Sequence, residues 1–348
     1  MNQTLNGIRR ILITILVAMG VGALFIVAIG ENPIDAYAAL FRGAFDGELR
    51  LGTTLAGFTP LLLTSIAFAV AAKAGAFNVG VEGEVFLGGI TAAYIGINWT
   101  FLPKPALYVA CFVGAMVVAA AWALIPAVLR AYYNVNEVCT TILMNTVALY
   151  ITSYLVSGPM SAGTANAQSL PVTVRLYQFM KPSSVNVGIF IAAITVIVII
   201  FMLQKSSWGY KIRTVGLNPT HADYVGIDSK KVFVGAMMLS GMLGGMAGCI
   251  EVLGVHGYFL NNFATGLGSN GMLAALIVKN NMVSTPFMAF FLAVLKSGAM
   301  GMQQSTGVPK SLVDTITAVF IIIATMETAF QFTKKRKKQT EEKKEDKA

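Results

Sequence analysis

Two carboxylates and an amide stand inside an otherwise apolar part of this sequence, in the run Phe77-Asn78-Val79-Gly80-Val81-Glu82-Gly83-Glu84. An ionisable group within an apolar span costs about 2.5–3.5 kcal/mol on insertion, so it usually faces protein, water or a transported molecule. If the run is helical, Asn78 and Glu82 lie one turn apart on one face. We interpret this face either as part of a polar pathway or as a brace for a neighbouring helix, and we expect Glu84 at an aqueous rim.

A second polar pattern follows further along the chain. Glu137, Thr141 and Asn145 recur at four-residue spacing, which places them on one face of a helix. A polar seam between helices explains this stripe as well as a pathway does. Glu251 stands near the end of a later apolar run. Because intramembrane carboxylates can relay protons, a proton-coupled carrier that uses Glu82 or Glu251 is a second functional hypothesis.

The composition indicates that membrane helices position these groups. The 348 residues are 56% hydrophobic and only 12% charged, with a mean hydropathy of +0.70, whereas a soluble domain carries about 25% charged residues. The sequence therefore predicts an all-α, polytopic membrane protein. The net charge of +9 lies in short loops and in the tail Lys334–Ala348, which carries eight Lys/Arg and four Asp/Glu. This distribution follows the positive-inside rule and does not indicate nucleic-acid binding.

The apolar runs predict about ten transmembrane spans in one domain, residues 1–332, followed by a charged, disordered tail, residues 333–348. Arg9 and Arg10 place the N-terminus in the cytoplasm, and an even span count places the tail there too. The eighth span is the shortest, because only Gly271–Val278 is cleanly apolar and would reach about 12 Å of a ~30 Å hydrocarbon core. If it does not cross, one other span must fail as well, so the count is ten or eight. The predicted spans are 11–29, 52–72, 78–97, 106–129, 137–157, 187–204, 232–254, 268–279, 283–300 and 311–332.

Division into five spans plus five gives two halves of opposite topology. The third span of each half is then rich in glycine and polar residues: Phe77–Gly96 in the first half and Phe263–Asn281, which includes Asn270, in the second. Glycine-interrupted segments at corresponding positions of inverted halves indicate a transport pathway. An inverted repeat is therefore one hypothesis for the architecture.

Residues 205–231, which we call the coupling segment, form a polar interruption between two apolar runs. The segment starts with a Trp208-Gly209 turn, and its far end is predicted to be one short amphipathic helix. The positive-inside rule places it in the cytoplasm. Since the sequence contains no Walker A pattern, the chain is not expected to hydrolyse nucleotide itself, and this segment is interpreted as a docking surface for a soluble partner.

Several short runs resemble those of ABC importer permeases, particularly the permeases of nucleoside importers. The first is Phe77–Glu84, in which Glu84 stands where the nucleoside branch usually has Gln. Similar runs follow in the same order between about residues 55 and 325. They are Asn136-Glu137-Val138 with Asn145, Gly216-Leu217-Asn218-Pro219 with Tyr224-Val225-Gly226-Ile227, Glu251-Val252-Leu253-Gly254, and Gly301-Met302-Gln303 with Gly307-Val308-Pro309.

The resemblance implies a transport subunit of the bacterial cell membrane with no cofactor of its own. It implies two permeases, this chain and a paralogue, that receive substrate from an extracytoplasmic binding lipoprotein, while cytoplasmic ATPase subunits consume ATP. The coupling helix would lie at about Asn218–Gly226. The residues implied in ATPase coupling are Trp208, Gly209, Arg213, Gly216, Asn218, Pro219, Tyr224 and Gly226. The candidate pathway residues are Asn78, Glu82, Asn136, Glu137, Asn145, Glu251 and Asn270.

The cargo is left open by the sequence. Amide and carboxylate groups beside aromatic rings would suit a nucleoside, which is neutral and rich in hydrogen-bond donors and acceptors. Simple sugars and branched-chain amino acids remain alternatives, because the resemblance extends to permeases for these substrates.

Overall fold

The computed structural model describes residues 19–309, 311–315 and 318, and these residues are predominantly α-helical. The prediction of an all-α chain is therefore confirmed for this part of the protein. The predicted tail and most of the predicted span 311–332 lie outside the described residues, as does the first part of span 11–29. The helices are α1 (Met19–Ala28), α2 (Pro33–Phe45), α3 (Gly47–Lys73), α4 (Val81–Asn98), α5 (Lys104–Tyr133), α6 (Glu137–Ser157), α7 (Gly188–Lys205), α8 (Ser207–Leu217), α9 (Pro219–Tyr224), α10 (Ser229–Ile250), a π-helical extension of α10 (Glu251–His256), α11 (Leu267–Ile277) and α12 (Thr285–Thr306).

Six helices of the described chain are long and apolar enough to cross a membrane: α3, α5, α6, α7, α10 with its π-helical extension, and α12. The short helices α1 and α2 satisfy the same test only as a pair, and they meet at a bend of 116°. The protein is thus a multi-pass membrane protein by the length and composition of its helices. Each of the six coincides with a span predicted from the sequence. The predicted spans 78–97 and 268–279 are also helical, as α4 and α11, but neither is among the six.

The chain divides into two compact units, one from residues 1–44 together with 295–348, and the other from residues 45–294. In the described part of the first unit, Ile26, Leu40 and Met302 belong to one buried apolar cluster. The second unit contains the larger core, which includes Phe68, Phe259 and Leu253. All candidate functional residues predicted from the sequence belong to this second unit.

Helix α10 is the central packing element of the second unit. A Cβ atom at Gly241 would lie 2.7 Å from the carbonyl oxygen of Ala119 in α5, and one at Gly245 would overlap the carbonyl of Ala115. On a neighbouring face of α10, Gly244 and Gly248 lie in similarly close contact with α4. The two overlapping G-x-x-x-G pairs therefore let α10 approach two different helices at backbone distance.

Candidate functional site

Two helices of the second unit begin inside the bundle and run toward opposite ends of it. Helix α4 follows the non-helical residues 74–80 and lies parallel to α10, with Asn78 beside Ser240 and Gly88 beside Gly245. Since Ser240 is eleven residues from the start of α10, α4 begins about 16 Å along that helix. Helix α11 begins beside α4, because a Cβ atom at Gly268 would lie 2.5 Å from the backbone nitrogen of Glu82.

Helix α11 leads back toward the end of α3. Gly271 packs against Thr64 and Ser65 of α3, and Met282, which follows α11, lines a cavity with Lys73 at the last residue of α3. The N-termini of α4 and α11 therefore meet in the interior of the unit. Helix N-termini carry partial positive charge, and half-helices that begin at mid-depth form the binding sites of many transporters.

Asn78 organises the N-terminus of α4. Its Nδ2 donates to Oε1 of Glu84 at 2.8 Å and to Oγ of Ser240 at 2.9 Å, while its Oδ1 accepts from the backbone N–H of Gly80 at 2.9 Å. Both Asn78 and Glu84 are only 1% exposed. Oε2 of Glu84 has no hydrogen-bond partner among the described residues. The expectation that Glu84 lies at an aqueous rim is therefore wrong, because α10 covers it.

The alignment of Asn78 with Glu82 on one helical face is also wrong, since α4 starts only at Val81. Instead, Asn78 reaches Glu84 from the turn that precedes the helix. Glu82 points elsewhere, and its Oε2 accepts a hydrogen bond from Ser269 Oγ of α11 at 3.3 Å. Asn270 is the next residue in the first turn of α11.

Asn145 ties α6 to the same turn. Its Nδ2 donates to the carbonyl oxygen of Val79 at 2.8 Å, and its Oδ1 accepts from the backbone N–H of Gly83 at 2.8 Å. Of the predicted pathway residues, Asn78, Glu82, Asn145 and Asn270 thus lie around one pair of helix N-termini. We call this group, together with Glu84, Ser240 and Ser269, the half-helix cluster.

Ser240 and Ser269 are the members of this cluster that the sequence prediction missed. Serine is common in membrane helices, so a single serine carries little signal. The nearest signal is that Ser240 opens the glycine-rich run Ser240–Gly248 and Ser269 directly precedes Asn270.

Two predicted pathway residues have local roles at the start of α6. Asn136 caps the helix, since its Oδ1 accepts from the backbone N–H of Val138 at 2.9 Å. The carboxylate of Glu137 pairs with Arg130 of α5 at 3.1 Å, and its side chain is 13% exposed. The predicted stripe therefore divides: its first residue links α6 to α5, and Asn145 belongs to the half-helix cluster.

Glu251 lies far from the half-helix cluster. It is the first residue of the π-helical extension of α10, eleven residues beyond Ser240 and hence about 16 Å further along the helix. Its Oε2 is 3.6 Å from Nε2 of His256, and Glu251 is buried. The structure thus does not place Glu251 with the other candidate pathway residues.

The coupling segment is a compact hairpin of two helices, α8 and α9, which pack on the rest of the second unit. The predicted Trp208-Gly209 turn is therefore wrong, because both residues lie in the first turn of α8, which the Ser206 side chain caps. Trp208 lies against Gly235 of α10, Gly209 lies against the last turn of α7, and a Cβ atom at Gly216 would overlap the carbonyl oxygen of Lys73 in α3. Ile212 and Val215 of α8 are buried. Three helices of the bundle therefore contact this hairpin through side chains or backbone that cannot easily shift.

Local hydrogen bonds fix the shape of α9. Asn218 caps the helix by accepting from the backbone N–H of His221 at 3.0 Å, and Pro219 occupies the first helical position. Asp223 accepts from both the backbone N–H and the hydroxyl of Ser229 at 2.9 Å. Gly226 has a φ of +82°, a conformation that favours glycine.

The cap of α10 completes this end of the coupling segment. Asp228 accepts from the backbone N–H of Lys231, and this hydrogen bond, with those of the Lys231 side chain, holds the pKa of the Asp228 carboxyl below its ordinary value. The segment is therefore ordered at both ends of α9.

The outer face of the hairpin is apolar and exposed. Leu217 is 88% exposed, Tyr224 86% and Val225 54%. Arg213 is different, because it lines a cavity on the side of α8 that faces Lys73. The predicted coupling residues thus fall into an exposed group, Tyr224 with its neighbours, and a supporting group that contacts the bundle.

A model of the family described as branched-chain amino acid transport system, permease component, matches residues 50–325 of this chain. The match covers nearly all of the second unit, including the half-helix cluster and the coupling segment.

Similar proteins are permeases with different named cargoes. The guanosine ABC transporter permease protein NupP of Bacillus subtilis is 32% identical over 92% of this chain and 94% of its own length. The nucleoside ABC transporter permease protein NupB of Lactococcus lactis is 30% identical over 92% and 91%. The glucose ABC transporter permease protein TsgB13 of Haloferax volcanii is 32% identical over 89% and 85%.

Proposed function

Because this chain belongs to the branched-chain amino acid transport system permease family, we propose that it is the transmembrane permease subunit of an ATP-driven nucleoside importer. The observation that carries the proposal is the exposed apolar face of the coupling segment, which rests on α3, α7 and α10. A movement of α9 driven by a partner would be transmitted directly to helices that surround the half-helix cluster. This arrangement supports a subunit that converts work done by another protein into a change of the bundle.

The partner proposed for this face is a cytoplasmic ATPase. The sequence has no Walker A pattern of its own. Leu217, Tyr224 and Val225 expose apolar surface of the kind that fills a groove on a partner, and aromatic residues commonly carry most of the binding energy at such interfaces. Gly226 and the Asn218 cap fix the shape of α9, which lowers the entropy lost on docking.

The proposed cargo is a nucleoside. Two of the named relatives carry guanosine or nucleoside in their names, and the half-helix cluster contains the neutral polar side chains of Ser269 and Asn270 in the first turn of α11, beside Glu82. A sugar is the second candidate, because the Haloferax relative is named as a glucose permease. A branched-chain amino acid is the third, from the description of the family.

We further propose ten spans in an inverted five-plus-five arrangement, with both termini in the cytoplasm of a bacterial cell. The support is the correspondence between α4 and α11: each is the helix predicted as the third span of its half, and the two run in opposite directions from one meeting point. A paralogous permease would pair with this chain, and an extracytoplasmic binding lipoprotein would dock at the end opposite to α9. An eight-span arrangement is the alternative, in which α11 is one of the two segments that do not cross.

Reconstituted vesicles test the proposal. The complete transporter should take up radiolabelled guanosine only when ATP, the ATPase and the binding lipoprotein are all present, and unlabelled guanosine should compete while glucose and leucine should not. Competition by glucose would favour the sugar alternative. Uptake driven by a proton gradient alone, without ATP, would instead establish a proton-coupled secondary transporter in which Glu82 or Glu251 relays protons.

A further inference from the structure

A cavity of about 200 Å³ lies in the second unit between the ends of α3 and α7, helix α8 of the coupling segment, and the residues that follow α11. The residues that line it are Lys73 at the end of α3, Leu203 and Gln204 near the end of α7, Arg213 of α8, and Asn281 and Met282, which follow α11. The cavity is partly open, since Gln204 and Asn281 are exposed, while Leu203 and Met282 are buried.

The polar groups of this cavity are cations and amides. Neither Lys73 nor Arg213 forms an ion pair with any carboxylate of the described residues. Nη1 of Arg213 is buried and has no hydrogen-bond partner among the residues that the structure describes. Burial of a charged donor without a partner is costly, as is the placement of two positive charges around one small space. An anion in the cavity would remove both costs.

The position of the cavity indicates which kind of anion would bind there. Lys73 is the last residue of α3, and Gln204 is the penultimate residue of α7, and both helices are long and apolar enough to span a membrane. The cavity therefore lies at a membrane–water boundary, with apolar walls from Leu203 and Met282 beside the cationic groups. A phospholipid offers the matching combination of a phosphate and an apolar chain, and basic pockets between membrane helices bind such headgroups.

We propose that this cavity binds the phosphate of an anionic phospholipid from the leaflet that contains the coupling segment. Arg213 and Lys73 hold the phosphate, and Gln204 and Asn281 supply amide donors at its rim. The bound lipid thereby joins α8, the base of the coupling segment, to α3 and α7. The membrane location rests on the family assignment, but the binding itself requires neither ATP nor any partner subunit.

The test uses the purified full-length chain in detergent, with short-chain phosphatidylglycerol, short-chain phosphatidylcholine and inorganic phosphate as separate probes. Dissociation constants follow from the shift of the thermal unfolding midpoint with probe concentration. Phosphatidylglycerol should bind more tightly than phosphatidylcholine. Lys73→Gln and Arg213→Gln should each weaken its binding about fivefold, equivalent to about 1 kcal/mol. Lys211→Gln is the matched control, because Lys211 lies on α8 as Arg213 does, but is exposed and does not line the cavity. The affinity of this variant for phosphatidylglycerol should stay within twofold of that of the wild type.

Other results would overturn the proposal. Equal weakening in the Lys211→Gln control would indicate general attraction to positive charge, and unchanged binding in both cavity variants would exclude the site. If inorganic phosphate alone stabilises the protein as strongly, through the same two residues, the ligand is a free anion. If both variants bind the lipid normally but lose the ATPase on purification, the cavity receives a partner's carboxylate. If Arg213→Gln does not fold, Lys73→Gln decides the question against the Lys211→Gln control, because Lys73 also lines the cavity. Loss of transport would not bear on the lipid measurement, which distinguishes this inference from the proposed function.

Discussion

The replacement of Asn78 by alanine should destabilise the protein far more than the loss of one polar side chain from a surface. Asn78 forms hydrogen bonds with Glu84, Ser240 and the backbone of Gly80. Hydrogen bonds within membrane helices contribute about 0.6 kcal/mol each, so the loss of all three costs about 2 kcal/mol. The carboxyl of Glu84 would then have no partner for either oxygen within the described residues, which adds about 1–3 kcal/mol. The expected loss is therefore about 3–5 kcal/mol in the free energy of unfolding.

The free energy of unfolding can be measured by titration of the purified chain with SDS in mixed micelles. Asn98→Ala is the matched control, because Asn98 is an exposed asparagine at the last residue of α4, where it donates to the backbone carbonyl of Tyr94. This control should change the free energy of unfolding by less than about 1 kcal/mol. If Asn78→Ala costs no more than Asn98→Ala, the half-helix cluster does not stabilise the start of α4.

A double-mutant cycle separates the two contributions. Glu84→Ala removes the carboxyl that Asn78 partners, so in that background Asn78→Ala loses only the hydrogen bonds to Ser240 and Gly80 and should cost about 1 kcal/mol. The coupling energy between the two residues should therefore be about 2–4 kcal/mol. A coupling energy near zero would refute the assignment of a direct, buried contact between Asn78 and Glu84.

Three further predictions concern function. Tyr224→Ala should weaken association with the partner ATPase by about 2 kcal/mol, or roughly thirtyfold in a pull-down titration. The control Tyr177→Ala removes a tyrosine of similar exposure and should leave this association unchanged. Equal effects of the two substitutions would place the docking surface elsewhere. Gly226→Val should reduce ATP-driven uptake and lower thermal stability moderately, because no atom lies within 4 Å of the new Cβ but a β-branched residue rarely adopts the φ of +82°. Gly216→Val should lower thermal stability more, because its Cβ would overlap the carbonyl oxygen of Lys73, and the reverse order would contradict the described support of α8. Glu82→Gln should retain most uptake, because the amide oxygen can still accept from the same serine; complete loss of uptake would show that the charge is essential.

The agreement between sequence and structure is best where the signal is local. The family resemblance implied a helix at about Asn218–Gly226, and the structure has α9 at Pro219–Tyr224, with Pro219 at its first position. The apolar runs likewise locate α3, α5, α6, α7 and α10 to within a few residues, because each run must be long enough to cross the hydrocarbon core of the membrane. The shortness of α11 follows from the same counting.

Contacts between distant parts of the chain were not predicted from the sequence. Glu84 stands in a glycine-rich run of sequence near the charged residue Glu82, which is compatible with an aqueous rim, and only the position of α10 buries it. Arg213 has the sequence context of a docking residue, yet the rotation of α8 on α3 directs it into a cavity with Lys73.

The sequence by itself determined that this is an all-helical membrane protein with a polar segment that ends in a short helix, since hydrophobic length and charge distribution act within a few turns of chain. The tertiary structure decided which polar groups meet. Asn78 and Ser240 are 162 positions apart, and Glu82 and Ser269 are 187 apart. No local pattern specifies such pairs, because their distance depends on the packing of whole helices against the glycine faces of α10.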